Sequence, residues 1–264
     1  MNWVKMGYSL IGKPSMYVHT YMIDGLLIDT GISKLRKEFI EEIQQHKIEQ
    51  IVISHHHEDH TGNLSEVQAA LQLEAKAHPL TIDLVSRPKS ISLARHMSWG
   101  CITPTTCGVL DLVVPIETNH YNFEIHHIPG HAVDQIALYE KSQGWLFSAD
   151  LYLTSYPKIF MDNESILTSI KSLDSMLVLD FDVLFCCHRP RYENGKSFLQ
   201  EKKQYLEEFY GKVIREYQEG NEPRQILKAL GLKEHHQIKL LSQQEISSIN
   251  MVRSCIRDYN TISR

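Results

Sequence analysis

An α/β body followed by a helical C-terminal extension is the fold predicted for this 264-residue chain. Three observations lead there. Short apolar runs alternate with segments of helical spacing as far as residue 194. Gly, Asn and Pro turn signals separate most of those runs. After Gly195 the pattern changes to long, charged amphipathic stretches. A composition of 42% hydrophobic and 22% charged residues suits a domain with its own core and excludes a disordered chain. No internal repeat at solenoid spacing is present.

Taken in order, Tyr17–Ile23 and Leu26–Asp29 are β-rich runs on either side of Asp24-Gly25, a strong hairpin signal. Lys34–His46 places Leu35, Phe39, Ile40 and Ile43 at helical spacing. Gln50–Ser54 reads as a short buried strand and Leu64–Leu73 as a helix. Residues 80–109 have weak periodicity and carry Pro88, Trp99-Gly100 and Pro104, which suggests a lid or loop-rich insert. Strand signals return at Leu110–Pro115, Phe123–Ile128, Gln135–Tyr139 and Trp145–Ser148. A helix over Ile166–Leu179 precedes a buried strand over Val183–Cys187. The extension then offers helices over Lys196–Glu219, from Pro223, and over Gln243–Tyr259. The expected organisation is a body of residues 1–194 and an extension of residues 195–264 in one compact unit.

Net charge is −5, and residues 195–264 carry 12 Lys/Arg against 9 Asp/Glu, which leaves the first 194 residues at −8. An acidic body lacks the global electrostatic footprint of a nucleic-acid binder. A small-molecule substrate is expected instead, and the positive surplus of the extension either favours an anionic one or is a solvated helical surface. The chain carries no run of about 18 uncharged apolar residues, so no membrane span is expected. Met1-Asn2-Trp3-Val4-Lys5 opens no signal peptide, and five cysteines form no disulfide framework, so the expected setting is the cytoplasm.

Histidine is over-used: 15 His stand against 13 Gly. The densest segment is Ser54-His55-His56-His57-Glu58-Asp59-His60-Thr61-Gly62, directly after a predicted strand. If it stays extended, His55, His57 and Asp59 project to one side and His60 elsewhere. Imidazole and carboxylate are donors that zinc and similar borderline ions accept. His131, Asp150 and His188 each follow a predicted strand, where side chains from distant sequence converge on one rim of a sheet. Alone, these three read as a turn residue, a cap and a surface imidazole. Their recurrence in this order after His-x-His-x-Asp-His favours a metal centre.

These residues resemble the metallo-β-lactamase fold superfamily and, within it, the glyoxalase II-like hydrolases. The resemblance runs over residues 1–194, from Asp29-Thr30-Gly31 through positions 55–60 to His131, Asp150 and His188. It implies a four-layer αββα sandwich. It also implies two divalent ions, zinc ahead of iron or manganese: the first held by His55, His57 and His131, the second by Asp59, His60 and His188, with Asp150 bridging. Asp59 and Asp150 are then the catalytic carboxylates, and Asp29 supports the ligand loops. An oxygen donor at Asp150, where lactamases commonly have Cys, argues against antibiotic hydrolysis. His57, where flavin-linked diiron relatives have Glu, argues against that branch.

Outside the ligand set, Tyr152, Arg189 and Tyr192 are candidate substrate contacts, with a packed aromatic and a solvated loop as the plainer readings. Arg191 shares the loop reading. Cys186 and Cys187 read as buried thiols, His56 and Glu58 as supports or solvent residues, His126 and His127 as strand-face residues, and His235 and His236 as surface. The expected function is hydrolysis of a small ester, thioester or lactone by metal-activated water. Competing readings are a phosphodiesterase or nuclease of the same fold, a mononuclear-iron sulfur dioxygenase, and a metal-bearing sensor with little turnover. The sequence leaves the oligomeric state open.

Overall fold

In a computed structural model, residues 1–10, 12–14 and 16–263 are described. The first half contains β1 (Asn2–Met6), β2 (Val18–Ile23), β3 (Leu26–Ile28), α1 (Arg36–Ile43), β4 (Gln50–Ile53), α2 (Glu58–Thr61), α3 (Leu64–Leu71), β5 (Ala75–Ala77), α4 (Pro79–Ser86), α5 (Leu93–Trp99) and β6 (Gly108–Val109). The second contains β7 (Ile116–Glu117), β8 (Asn122–His127), β9 (Ile136–Glu140), β10 (Trp145–Ala149), β11 (Phe160–Met161), α6 (Ile166–Leu177) and β12 (Val183–Cys186). The extension contributes α7 (Gly195–Gln218), α8 (Pro223–Ala229), α9 (His236–Leu241), β13 (Ile246–Ser247) and α10 (Ser248–Ile262).

The strands form two large sheets, ordered β1-β2-β3-β4-β5-β6 and β12-β10-β9-β8-β7, and β11 pairs with β13. Strands β3 to β6 run parallel, as do β10 and β12, and the other pairs are antiparallel. Burial on both faces explains why β3, β4, β10 and β12 are mainly apolar, with alternate side chains entering different layers. In β3, Leu26 and Ile28 face the opposite sheet while Leu27 faces α1, α3 and α4; in β4, Val52 faces inward and Ile51 and Ile53 outward. In β10 and β12, Phe147 and Phe185 join the layer between the sheets, whereas Leu146 and Leu184 join the cluster beneath α6, α7 and α10. Three apolar layers therefore separate four structural ones: helix, sheet, sheet, helix. The four-layer αββα sandwich is the observed fold.

Phe123 lies fully buried in the layer between the sheets, with its ring 5.9 Å from that of Phe147. Phe123→Ala is expected to cost about 3–5 kcal/mol by leaving a cavity there. A fall in the urea midpoint at constant slope is the measurement that checks it.

The hairpin turn has φ of 48° at Asp24 and 87° at Gly25, the positive pair that lets a two-residue turn follow strand twist. Three sequence expectations are corrected. Leu110–Pro115 is no strand: Asp111 Oδ1 accepts from Val113 N at 2.9 Å, a local turn that competes with pairing. The last helix starts at Ser248 rather than near Gln243, because Gln243 and Gln244 take φ of 52° and 71° before β13. The insert at 80–109 contains α4 and α5; His78 Nδ1 caps α4 by accepting from Leu80 N at 3.1 Å, and Pro79 fills the first turn. Among the described residues, no helix is long and apolar enough to cross a membrane.

Candidate metal centre

Strand β4 delivers its last residues to the rim of the sandwich, and the chain there is tied to the preceding loop. Asp29, buried and at φ 64°, accepts from Ser54 N at 2.7 Å, from Ser54 Oγ at 2.8 Å and from His60 Nδ1 at 2.8 Å. His57 then precedes the single helical turn α2. That turn corrects the extended reading of this segment: Asp59 does not project beside His55 and His57 but swings to the side of His60. Gly62 ends the turn where a Cβ would lie 2.6 Å from the carbonyl oxygens of Glu58 and Gly31, so only glycine fits without displacing backbone.

Seven of the ten predicted site residues come together in two adjoining groups. His55, His57 and His131 form one, and Asp59, His60, Asp150 and His188 the other; within each, ligand atoms lie within 4.8 Å of one another. In the first, His57 Nδ1 is 3.1 Å from His55 Nε2 and 3.0 Å from His131 Nε2. In the second, His188 Nε2 is 3.3 Å from both Asp59 Oδ2 and Asp150 Oδ2, and His60 Nε2 is 3.5 Å from Asp150 Oδ1. Asp150 Oδ2 is also 3.4 Å from His131 Nε2, so this carboxylate touches both groups. Asp29, His60 and Cys187 form a further close set behind the second group.

The donor chemistry fits divalent cations. Burial, reinforced by neighbouring histidines, holds His55 and His57 well below the ordinary imidazole pKa, so both are neutral and carry lone pairs. Burial opposes charge on His188 as well, yet Asp150 and Asp59 outweigh it and raise that imidazole well above its usual range. The carboxylates thus call for positive charge at this spot. His60 Nε2 and Asp150 Oδ1 are buried with no hydrogen-bond partner among the described residues, as ligand atoms awaiting a cation would be.

The outer ring nitrogens are anchored. His188 Nδ1 donates to Tyr17 O at 2.8 Å, and Asp29 holds His60 Nδ1, so both present Nε2 to the centre. His55 Nδ1 is 3.2 Å from Ser54 Oγ, and Glu164 Oε2 lies 3.3 Å from His131 Nδ1. His56 Nδ1 is bound to Asp134 at 2.8 Å, and Thr81 Oγ1 donates to the same carboxylate at 2.7 Å, tying this loop to α4. From α7, buried Lys202 donates to Leu151 O at 2.6 Å, next to Asp150. Sequence reasoning missed Glu164 and Lys202, for which no local signal exists, and gave Asp134 no role.

The remaining three candidates lie elsewhere. Tyr152 is 1% exposed and packs in the cluster under the helices, with Arg191 over its ring at 5.7 Å. Arg189 is exposed, and Tyr192 is 50% exposed with its ring 6.3 Å from Trp3. None of the three lines the cavity of about 650 Å³ that opens beside His57. The five cysteines are all free, Cys186 and Cys187 buried among them.

A family profile described as the metallo-beta-lactamase superfamily matches residues 16–188. Among curated proteins, a hydroxyacylglutathione hydrolase of Photorhabdus laumondii is 28% identical over 177 residues, covering 66% of this chain and 61% of that one. One from Bdellovibrio bacteriovorus is 29% identical over 102 residues, covering 38% and 33%. The matches thus span less than two thirds of either relative. Among solved structures, a metallo-beta-lactamase from Pontibacter korlensis superposes with a TM-score of 0.60 at 16% identity over 77% of this chain and 93% of that one. A metallo-beta-lactamase family protein from Thermus thermophilus gives 0.61 at 15% over 80% and 81%. At those identities the structures speak for the fold alone. With the profile covering more than half of its length, the chain belongs to the metallo-beta-lactamase superfamily.

Proposed function

We propose that this protein is a binuclear metal-dependent hydrolase of a small ester or thioester, lactones included, working with zinc in the cytoplasm. The observation that carries the reading is Asp150, whose carboxylate lies within 3.5 Å of His60, His131 and His188 and so joins two ligand groups into one centre. His55, His57 and His131 would hold one ion, Asp59, His60 and His188 the other, with Asp150 shared. When bound, divalent ions supply Lewis acidity that brings the pKa of a water to about 7 and stabilises a developing oxyanion.

The chain's own groups do the rest. Asp59, buried and next to His188, accepts a hydrogen bond from the attacking water and orients it toward the carbonyl carbon. Asp29 and the Tyr17 carbonyl fix the tautomers of His60 and His188, so the donor set is arranged before substrate arrives. The cavity beside His57 gives a small substrate room next to the donors. The thioester class is supported by the name of the two curated relatives, hydroxyacylglutathione hydrolase. Five free cysteines agree with a reducing compartment.

Metal analysis combined with a chromogenic panel tests the reading. Two zinc equivalents and metal-dependent turnover of a thioester, ester or lactone are expected. Cleavage confined to a bis-phosphodiester would move the protein to the phosphodiesterase reading. A full metal complement with no turnover on any substrate would make it a sensor.

A further inference from the structure

Three segments far apart in sequence wall the cavity beside His57: the helical turn carrying Glu58, the insert carrying Arg95, and the turn of the extension carrying Glu245. One side chain joins them. Arg95 Nε donates to Glu58 Oε1 at 2.6 Å and Nη2 to Glu58 Oε2 at 2.5 Å, while Nη1 donates to Glu245 Oε1 at 2.5 Å. Glu58 is 1% exposed, and among the described residues Arg95 is the only cation paired with it. A two-pronged guanidinium–carboxylate contact fixes direction as well as distance, which a lysine ammonium does not.

Glu58 stands between His57 of the first donor group and Asp59 of the second. We infer that Arg95 is a positioning residue that holds α2 in place, keeping His57 and Asp59 aimed at their respective groups while it pins both outer cavity walls to the same turn. Without Arg95 the Glu58 carboxylate is a buried anion with no counter-charge, and breaking such a pair is far more disruptive than replacing both partners. The turn then shifts to bring the carboxylate to water and carries both ligand residues with it. The inference rests on the metal-centre part of the proposed function and is independent of which substrate is cleaved.

The test is zinc affinity, measured on the full-length apo protein by competition with a chelator of known affinity, alongside the apo thermal midpoint. Arg95→Gln is expected to weaken zinc binding by about 10- to 100-fold, the range for losing a partner that orients ligands. The double variant Glu58→Gln/Arg95→Gln is expected to recover most of that loss, because no buried charge is left unpaired. A merely structural role would lower the thermal midpoint without this rescue of affinity. Wild-type affinity in Arg95→Gln overturns the inference, as does a double variant no better than the single. If Arg95→Gln fails to fold, Arg95→Lys takes its place: weakened zinc binding supports the role and unchanged binding overturns it. Absence of tight zinc binding in the wild-type chain would overturn both this role and the metal centre itself, so the two failures are told apart.

Discussion

Asp150→Ala is expected to remove bound metal and hydrolytic turnover together. Its carboxylate lies 3.3 Å from His188, 3.4 Å from His131 and 3.5 Å from His60, and among the described residues it is the only carboxylate within ion-pair distance of histidines of both groups. Losing a residue that only orients a ligand costs about 10- to 100-fold in metal affinity or activity. Removing a shared donor costs more, because the remaining five imidazoles and Asp59 then supply a single negative charge. Asp150→Asn, which keeps shape but not charge, should retain more metal than Asp150→Ala and less than the native chain. His131→Ala should empty the first group in the same manner. Metal content by elemental analysis and turnover on the best panel substrate check both; wild-type turnover in Asp150→Ala and His131→Ala would remove these residues from the centre.

How much of this centre was legible in the sequence follows from how its residues are spaced. Positions 55–60 are contiguous, and His131, Asp150 and His188 each end a run that reads as a strand, so a sheet rim gathers them. The side to which Asp59 turns was not legible, because period-two alternation holds only while the backbone stays extended, and α2 begins at Glu58. The supports were hidden for a different reason. Glu164 reaches His131 from 33 positions along the chain, Arg95 reaches Glu58 from 37, and Lys202 reaches Leu151 from 51. No local periodicity marks a lone charge whose partner is supplied by tertiary packing. For Tyr152, two residues after Asp150, the chain turns after β10 and buries the ring beneath the helices, in keeping with the packed-aromatic alternative.

Removal of residues 195–264 is expected to abolish cooperative folding of the body, not merely to alter its substrate preference. Besides α6, it is the helices of the extension that cover the outer face of the second sheet. Leu146 and Leu184 from that face share one apolar cluster with Leu199, Leu206, Phe209 and Val213 of α7 and with Met251 and Val252 of α10. Six buried side chains at about 1.5–3 kcal/mol each rival the entire stability of a typical domain, about 5–15 kcal/mol. The junction is equally close: a Cβ on Gly195 would lie 2.6 Å from Asp182 O, so α7 starts pressed against the strand that leads to His188. The extension also reaches the ligand residues, through Lys202 to the carbonyl after Asp150 and through Ser254 Oγ, which donates to Glu164 O at 2.8 Å. A fragment of residues 1–194 should therefore show no cooperative thermal transition and no tight zinc binding. A sharp transition near the native midpoint would mean that the body closes its own core and that the helices are an accessory cover.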